Sequence, residues 1–341
     1  MQKKEMSPLI SKLYHKMPKS VKNRPKTIKA VQKFNNHNKL NELETHYKLL
    51  DLIFSNFDIK AKGTMRNIQL LSLELLKLFN NICKKQNIQF WLDYGTFLGA
   101  YRHHGFIPWD DDIDIGMMRN DYNKLLKVFP EEINKIPELK DKIIISKLTK
   151  PHLNYPENTN ILDQTNNGTF LLFFQCAWKK PFVHFDVFPR DYIPKKALKP
   201  GRNKKQTELH MKFKENIKNE IYTFEQGLPL EQEKIGFTKE KQDHISDAID
   251  GLHNNIANRI YKTNIVFPLD TITFEEETFP CPRNADEYLT KIYGSEYMHL
   301  PKIALDHDTE PLVKSQFNSQ NEEQEQFKKD IKLLKTINER F

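Results

Sequence analysis

Trp91-Leu92-Asp93-Tyr94-Gly95-Thr96-Phe97-Leu98-Gly99-Ala100-Tyr101-Arg102-His103-His104-Gly105-Phe106-Ile107-Pro108-Trp109-Asp110-Asp111-Asp112-Ile113-Asp114-Ile115 is the stretch that decides how this chain is read. Its end alternates acidic and apolar. In a strand, residues two apart point to the same face, so Asp112 and Asp114 project together while Ile113 and Ile115 turn toward a core. Like charges side by side cost free energy unless a cation neutralises them. A hard divalent ion with oxygen ligands, magnesium or manganese, is the natural partner. The plain alternative is a solvated acidic turn, and the isoleucines weigh against it by making the segment a half-buried strand.

Upstream, residues 88–94 are β-branched and aromatic and predict a buried strand, after which Gly95 and Gly99 permit a tight turn onto a short helix. The Gly95-Thr96 turn offers backbone amides and a hydroxyl to a phosphate. Arg102 and His103 follow one to two turns along, where Arg102 is placed to fork onto a diphosphate. Trp109 presents a ring to a nucleobase or a trimethylammonium group, or else anchors the loop in the core. Before the strand, Leu71, Leu75, Leu78, Phe79 and Ile82 recur at helical spacing and predict a helix over 65–85.

Downstream, the pattern predicts a helix over 121–128 capped by Asn120 or Asp121, and strands over 142–148, 168–175 and 182–188. The last contains Val183-His184-Phe185-Asp186-Val187-Phe188, which adds a third carboxylate. Three carboxylates on neighbouring strands can hold two metal ions for in-line phosphoryl displacement. Polar, turn-rich insertions at 151–167 and 194–218 are expected to border the site; the second carries Lys195, Lys196, Lys199, Arg202, Lys204 and Lys205. Further on, a helix is expected over 244–261, and another from Asn284 to a stop at Gly294. The tail after Asp306 is expected to be helical only near its end. The fold class is α+β, a mixed sheet flanked by helices with inserted loops and a mostly helical C-terminal part.

At 341 residues, with 38% hydrophobic residues and 23 Phe, the chain has core material that a disordered polar chain lacks. The formal charge of +8 is carried at one end: residues 1–35 hold ten Lys/Arg against the single acid Glu5, and the remainder is near neutral. A nucleic-acid-binding core spreads basic residues over its own surface, so no nucleic acid is expected. Within this arm, Leu9, Ile10, Leu13, Tyr14 and Met17 line one side of a short basic helix. It suits an anionic membrane surface, or docks on its own domain or a partner. No segment approaches the roughly 18 apolar residues of a membrane span, so a cytoplasmic protein is expected, peripheral at the membrane where the arm binds. Cys83, Cys176 and Cys281 lie too far apart for a zinc motif and read as buried small hydrophobes.

Read together, WLDYGTFLGAYRHHGFIPWDDDIDIGM resembles the signature of the LicD family, which includes bacterial phosphocholine transferases and relatives of fukutin. FDVFPRDYIP resembles its second acidic block, and FPCPRNADEYLTKIYGSEYMHLP its C-terminal Tyr-Leu-x-x-x-Tyr-Gly block. The resemblance covers about 65–305 and divides the chain into a basic arm (1–35), a lead-in (36–64), a nucleotidyltransferase-like catalytic domain and a charged tail (306–341). It implies transfer of a phospho-alcohol from a CDP-linked donor to a glycan or glycolipid hydroxyl, releasing CMP. By motif match, Asp112, Asp114 and Asp186 are metal ligands, and Gly95 and Thr96 form the phosphate-side turn. The reading built on this has Asp186 helping to deprotonate the acceptor and Arg102 offsetting charge on the leaving group. Tyr101 departs from the small aliphatic residue common at its position. Two other readings stay open: a nucleotidyltransferase joining NTP to a small acceptor, and a non-catalytic glycan- or membrane-binding module.

Overall fold

The computed structural model describes residues 39–53, 59–146, 174–251, 259–300 and 309–341. The chain divides into two units, one of residues 1–57 and 298–304 and one of 58–297 and 305–341. In the first, residues 39–53 are helical; Asp51 accepts from the Leu300 amide (2.7 Å) and pairs with His299 Nδ1 (2.7 Å). The expected helix over 7–17 lies outside the described residues.

In the second unit, α1 (Gly63–Lys85) precedes a short β1 (Trp91–Leu92) and α2 (Tyr94–His103). Then come β2 (Asp114–Met118), α3 (Arg119–Asn134), β3 (Ile143–Ser146), β4 (Phe174–Trp178) and β5 (Val183–Ile193). The rest comprises α4 (Arg202–Lys218), α5 (Phe224–Ile235), β6 (His244–Asp247), β7 (Ile260–Lys262), a hairpin of β8 (Asp270–Phe274) and β9 (Glu277–Cys281), α6 (Ala285–Tyr293) and α7 (Gln320–Asn338). The class is α+β, as expected.

The seven-stranded sheet is mixed. Its order is β1-β2-β5-β4-β3, with β6 pairing β5 and β7 pairing β6. Among the described residues only β2 and β5 run parallel. The eleven residues of β5 let it pair β4 through Val183–Val187 and β6 through Arg190–Ile193. Alternation along β5 then divides its neighbours. Phe185 turns toward Phe79 of α1 (5.0 Å between centroids) and Phe129 of α3 (6.3 Å), building an aromatic core. Asp186, Phe188 and Arg190 turn to the other face, which α2 covers at Tyr94 (5.1 Å to Phe188). The predicted α1 stripe Leu71, Leu75, Leu78, Phe79 and Ile82 is buried throughout. The three cysteines are buried and unpaired.

Several expected elements differ. Residues 88–94 form a strand only at Trp91–Leu92, because Asp93 turns the chain by accepting from the Tyr94 amide (2.8 Å) and starts α2. The strand predicted from Asp112 begins at Asp114, and α3 starts at Arg119 with no side-chain cap from Asn120 or Asp121. The segment 194–218, read as a loop, carries α4. Its buried positions Arg202, Gln206, His210, Phe213 and Ile217 recur at helical spacing but are mostly polar, which hides the amphipathic pattern. Residues 244–261 contain two strands and a 3-10 turn (Ile249–Gly251) instead of a helix, since the free edge of β5 claims the backbone of β6. The tail is more helical than expected: α7 starts at the Ser319 cap and runs for 19 residues. The expected strand over 168–175 is described only from Phe174 onward. The helix expected from Asn284 to Gly294 forms as α6, with the Asn284 side chain accepting from the Glu287 amide (3.2 Å).

Candidate active site

The parallel pairing of β2 with β5 puts Asp114 directly opposite Asp186. The Asp186 amide donates to the Ile113 carbonyl (2.8 Å), which locks the register. Since both strands alternate, both carboxylates rise from the face away from the Phe79–Phe185 core. Asp110 and Asp112 approach from the preceding loop. One carboxylate oxygen each from Asp110, Asp111 and Asp112 lies within 4.8 Å of the others. Gln175 Nε2 donates to Asp186 Oδ1 (2.9 Å) and fixes the orientation of that carboxylate.

The turn into α2 closes over this group. Thr96 Oγ1 accepts from the Asp114 amide (2.8 Å), joining the turn to the head of β2. Gly95 lies against the carboxylates: a Cβ there would stand 2.8 Å from Asp110 Oδ2 and 3.8 Å from Asp114 Oδ2. Tyr94 is held at φ 38, a left-handed conformation that a bulky side chain rarely adopts. Burial first, and then the Asp112, Asp186, Asp110 and Asp93 carboxylates, push the Asp114 carboxyl well above the usual carboxylate range. Every one of those four neighbours is negative. Such a set of hard oxygen donors fits a divalent cation.

Below the turn a buried polar network sets its position. Arg190, fully buried, pairs with Asp93 (2.6 Å) and Asp247 (3.0 Å). The Tyr288 hydroxyl of α6 donates to Asp93 Oδ1 (2.7 Å), and the Trp91 indole donates to Tyr288 Oη (3.2 Å). A second arginine, Arg119, forks onto Asp191 (2.9 Å twice) and also bonds Asp250. Each arginine is paired with two carboxylates, so the charge deep under the site is compensated, although Arg190 Nε makes no hydrogen bond.

The expected site residues thus separate. Asp112, Asp114, Asp186, Gly95 and Thr96 come together. Arg102, at the far end of α2, donates from Nη1 to the Tyr297 carbonyl (2.8 Å) and from Nε to His103 Nε2 (2.9 Å). Those bonds hold the loop after α6. His103 is buried and meets the Trp109 ring edge-on at 6.5 Å, and Trp109 packs against the core.

The LicD/FKTN/FKRP nucleotidyltransferase domain family matches residues 87–217, which run from β1 into α4 and include Asp110, Asp112, Asp114 and Asp186. The lipopolysaccharide cholinephosphotransferase LicD of Haemophilus influenzae is 28% identical over 270 residues, 70% of this chain and 93% of that protein. Over those residues the chain is similar to the LicD family of phosphotransferases. The mouse ribitol-5-phosphate transferase FKTN is 45% identical over 49 residues, 14% of this chain and 11% of that protein. An uncharacterized Rickettsia typhi protein is 31% identical over 132 residues, 37% of this chain and 36% of its own length.

Three residues at this site escape the sequence reading. Asp110 shares the parity of Asp112 and Asp114, a signal present in the run of aspartates but spent on the strand. Tyr293 stands at the end of α6, inside the Tyr-Leu-x-x-x-Tyr-Gly block. Although 41% of its surface is exposed, crowding around its hydroxyl and then the Asp114, Asp110 and Asp93 carboxylates hold that hydroxyl above the usual phenol range, within electrostatic reach of the acidic group. Arg259, just ahead of β7, partly offsets that rise and so stands within electrostatic reach of the same place. The block marks Tyr293 but not its place at the site, and nothing in the local sequence marks Arg259, because only the fold joins them to β2.

Proposed function

We propose that this chain transfers a phospho-alcohol, phosphocholine or a polyol phosphate, from a CDP-linked donor to a hydroxyl of a cell-surface glycan, with CMP as leaving group. The observation that carries the proposal is the Asp114–Asp186 register on parallel neighbours beneath the Gly95-Thr96 turn, with Asp110 and Asp112 converging on it. The names of two similar proteins, a lipopolysaccharide cholinephosphotransferase and a ribitol-5-phosphate transferase, support that reaction class.

Asp112, Asp114 and Asp186 would hold magnesium or manganese. When bound, the ion supplies neutralisation of the donor's phosphate charge and polarises the phosphorus under attack. The chain's own residues do the remaining work. Gly95 leaves room beside Asp110 and Asp114 that any side chain would fill, so a phosphate can approach the backbone there. Asp186, oriented by Gln175, takes the proton of the attacking hydroxyl. The Arg190–Asp93 pair anchors the turn from beneath, holding it in place without reorganisation.

The test is a turnover panel of CDP-choline, CDP-ribitol, CDP-glycerol and CTP, each with and without magnesium. Metal-dependent release of CMP from one CDP-alcohol in the presence of glycan acceptor, lost in Asp112→Asn and Asp186→Asn, is the expected result. Pyrophosphate release from CTP would replace the proposal with a nucleotidyltransferase. Among the described residues no helix is long and apolar enough to cross a membrane. Peripheral attachment through residues 1–35 is part of the same proposal. Deleting the arm is then expected to keep turnover on a soluble acceptor and to abolish binding to anionic vesicles.

A further inference from the structure

We propose that Arg259 is the side chain that receives the donor's diphosphate, forking onto its oxygens from the side opposite the carboxylates. The inference deepens the reading above and rests on it for the identity of the donor.

Arg259 has its backbone engaged, and its guanidinium feels the Asp247 and Asp93 carboxylates while one of its nitrogens stays without a hydrogen-bond partner. Its amide donates to Asp247 Oδ2 (2.9 Å) and its carbonyl accepts from the Asp247 amide (3.1 Å), which holds the head of β7. The guanidinium sits 5.1 Å from the centre of the Tyr94 ring. Its Nη1 is buried and has no hydrogen-bond partner. A buried guanidinium N–H without an acceptor costs free energy, and proteins retain such groups where a ligand completes them.

The other arginines around the site differ. Arg190 and Arg119 are paired to carboxylates, and Arg102 donates to the Tyr297 carbonyl and His103. Arg202 also has unpaired buried N–H groups, but it stacks on Phe237 (5.3 Å), and the structure gives it no contact with Tyr94.

The placement of Arg259 follows from Tyr94. That residue directly precedes Gly95, and its ring packs on Phe188, two residues beyond Asp186 on the same face of β5. The Arg259 guanidinium therefore lies beside the turn that approaches Asp110 and Asp114, on a ring that Arg190, already paired to Asp93 and Asp247, also faces at 5.2 Å. Tyr293, which feels Asp114 and Asp110 as well as Arg259, ties the cation to the acidic group from the α6 side. A diphosphate needs positive charge on both flanks. The carboxylate side supplies it through a bound cation, and the other flank requires a cation of the chain itself. Arginine suits that place, because its planar fork meets two phosphate oxygens at once and is always charged.

The side chain does not hold the β6–β7 pairing, so Arg259→Ala is expected to fold. The experiment titrates magnesium pyrophosphate into the full chain, the Arg259→Ala and Arg259→Lys variants and Asp112→Asn by calorimetry, with Tm recorded for each. Pyrophosphate is the probe because it carries the diphosphate without nucleoside or alcohol. The expected result is binding to the wild type, weakened at least about tenfold in Arg259→Ala and less in Arg259→Lys, with Tm little changed. Equal affinity in the wild type and Arg259→Ala, or no binding by the wild type, would overturn the proposal. If the Arg259 dependence holds while no CDP-alcohol turns over, the donor reading fails and the diphosphate site stands.

Discussion

Asp114 is the residue at which sequence and structure converge most closely. Alternation in Asp112-Ile113-Asp114-Ile115 was enough to predict its face, and the register to Asp186 needed only the parallel pairing of two apolar strands. What alternation could not give is the weight of the neighbours: Asp110 and Asp93 come from a loop and a helix cap. Because like charges crowd Asp114, Asp114→Asn is expected to raise the metal-free Tm by several degrees while abolishing turnover and the magnesium-induced rise. Differential scanning fluorimetry with and without magnesium reads both, and a metal-free Tm below wild type would contradict it. Two glycines distinguish site from scaffold. Gly95→Ala forces aside the Asp110 carboxylate, the free end of a side chain, and is expected to cut turnover about tenfold or more with little loss of stability. A Cβ at Gly116 would overlap the rigid Trp91 ring, so Gly116→Ala is expected to destabilise the fold, as denaturant unfolding would show.

Among the elements, the β8–β9 hairpin shows how a connection invisible to pattern reading is made. Its turn residue Glu275, at φ 57, reaches Arg66 of α1 with two bonds of 2.9 Å and Lys60 with one of 3.0 Å. Burial opposes the charged form, but the hydrogen bonds from Arg66 and Lys60 outweigh it and bring the carboxyl from 4.5 down to about 2. A folded value below the unfolded one means the tie stabilises above about pH 4.5 and fades as pH falls toward 2. After discounting for solvent screening, its worth is about 1 to 2 kcal/mol. Glu275→Gln is expected to lose that amount at neutral pH and to converge on the wild type near pH 2 in urea titrations across the window. Nothing local to the hairpin tip marks the partners of Glu275, which lie on α1 and just before it, far along the chain. For the same reason α4, β6 and β7 were misread, because their pattern is set by what they pack against. The helices α1 and α6 were legible because an apolar stripe and an Asn cap are local signals.

At the scale of the whole molecule, the long-range economy of the fold rests on α7. Its charged composition suggested an outlying tail, yet Phe327, Leu334 and Ile337 are buried in the same core as the α1 stripe, leaving the lysines outward while Glu323 and Asp330 are buried. The helix also reaches the sheet at its far edge. Asp330, fully buried, accepts from the Trp178 indole of β4 (3.1 Å) and from Gln326 (2.7 Å), and faces Lys142 at 3.4 Å. Since β4 pairs β5 and supplies Gln175 to orient Asp186, the C-terminal helix buttresses the strand that carries the third carboxylate. Two losses are therefore expected to differ in kind. Phe327→Ala leaves a cavity between α7 and α1 and should cost about 3 to 5 kcal/mol of stability, with turnover per folded molecule unchanged. Asp330→Ala strands the buried indole N–H and loosens β4, so it should lower both stability and turnover. Chemical denaturation paired with active-site titration separates them. Equal activity per folded molecule in both variants would show that α7 serves the core alone.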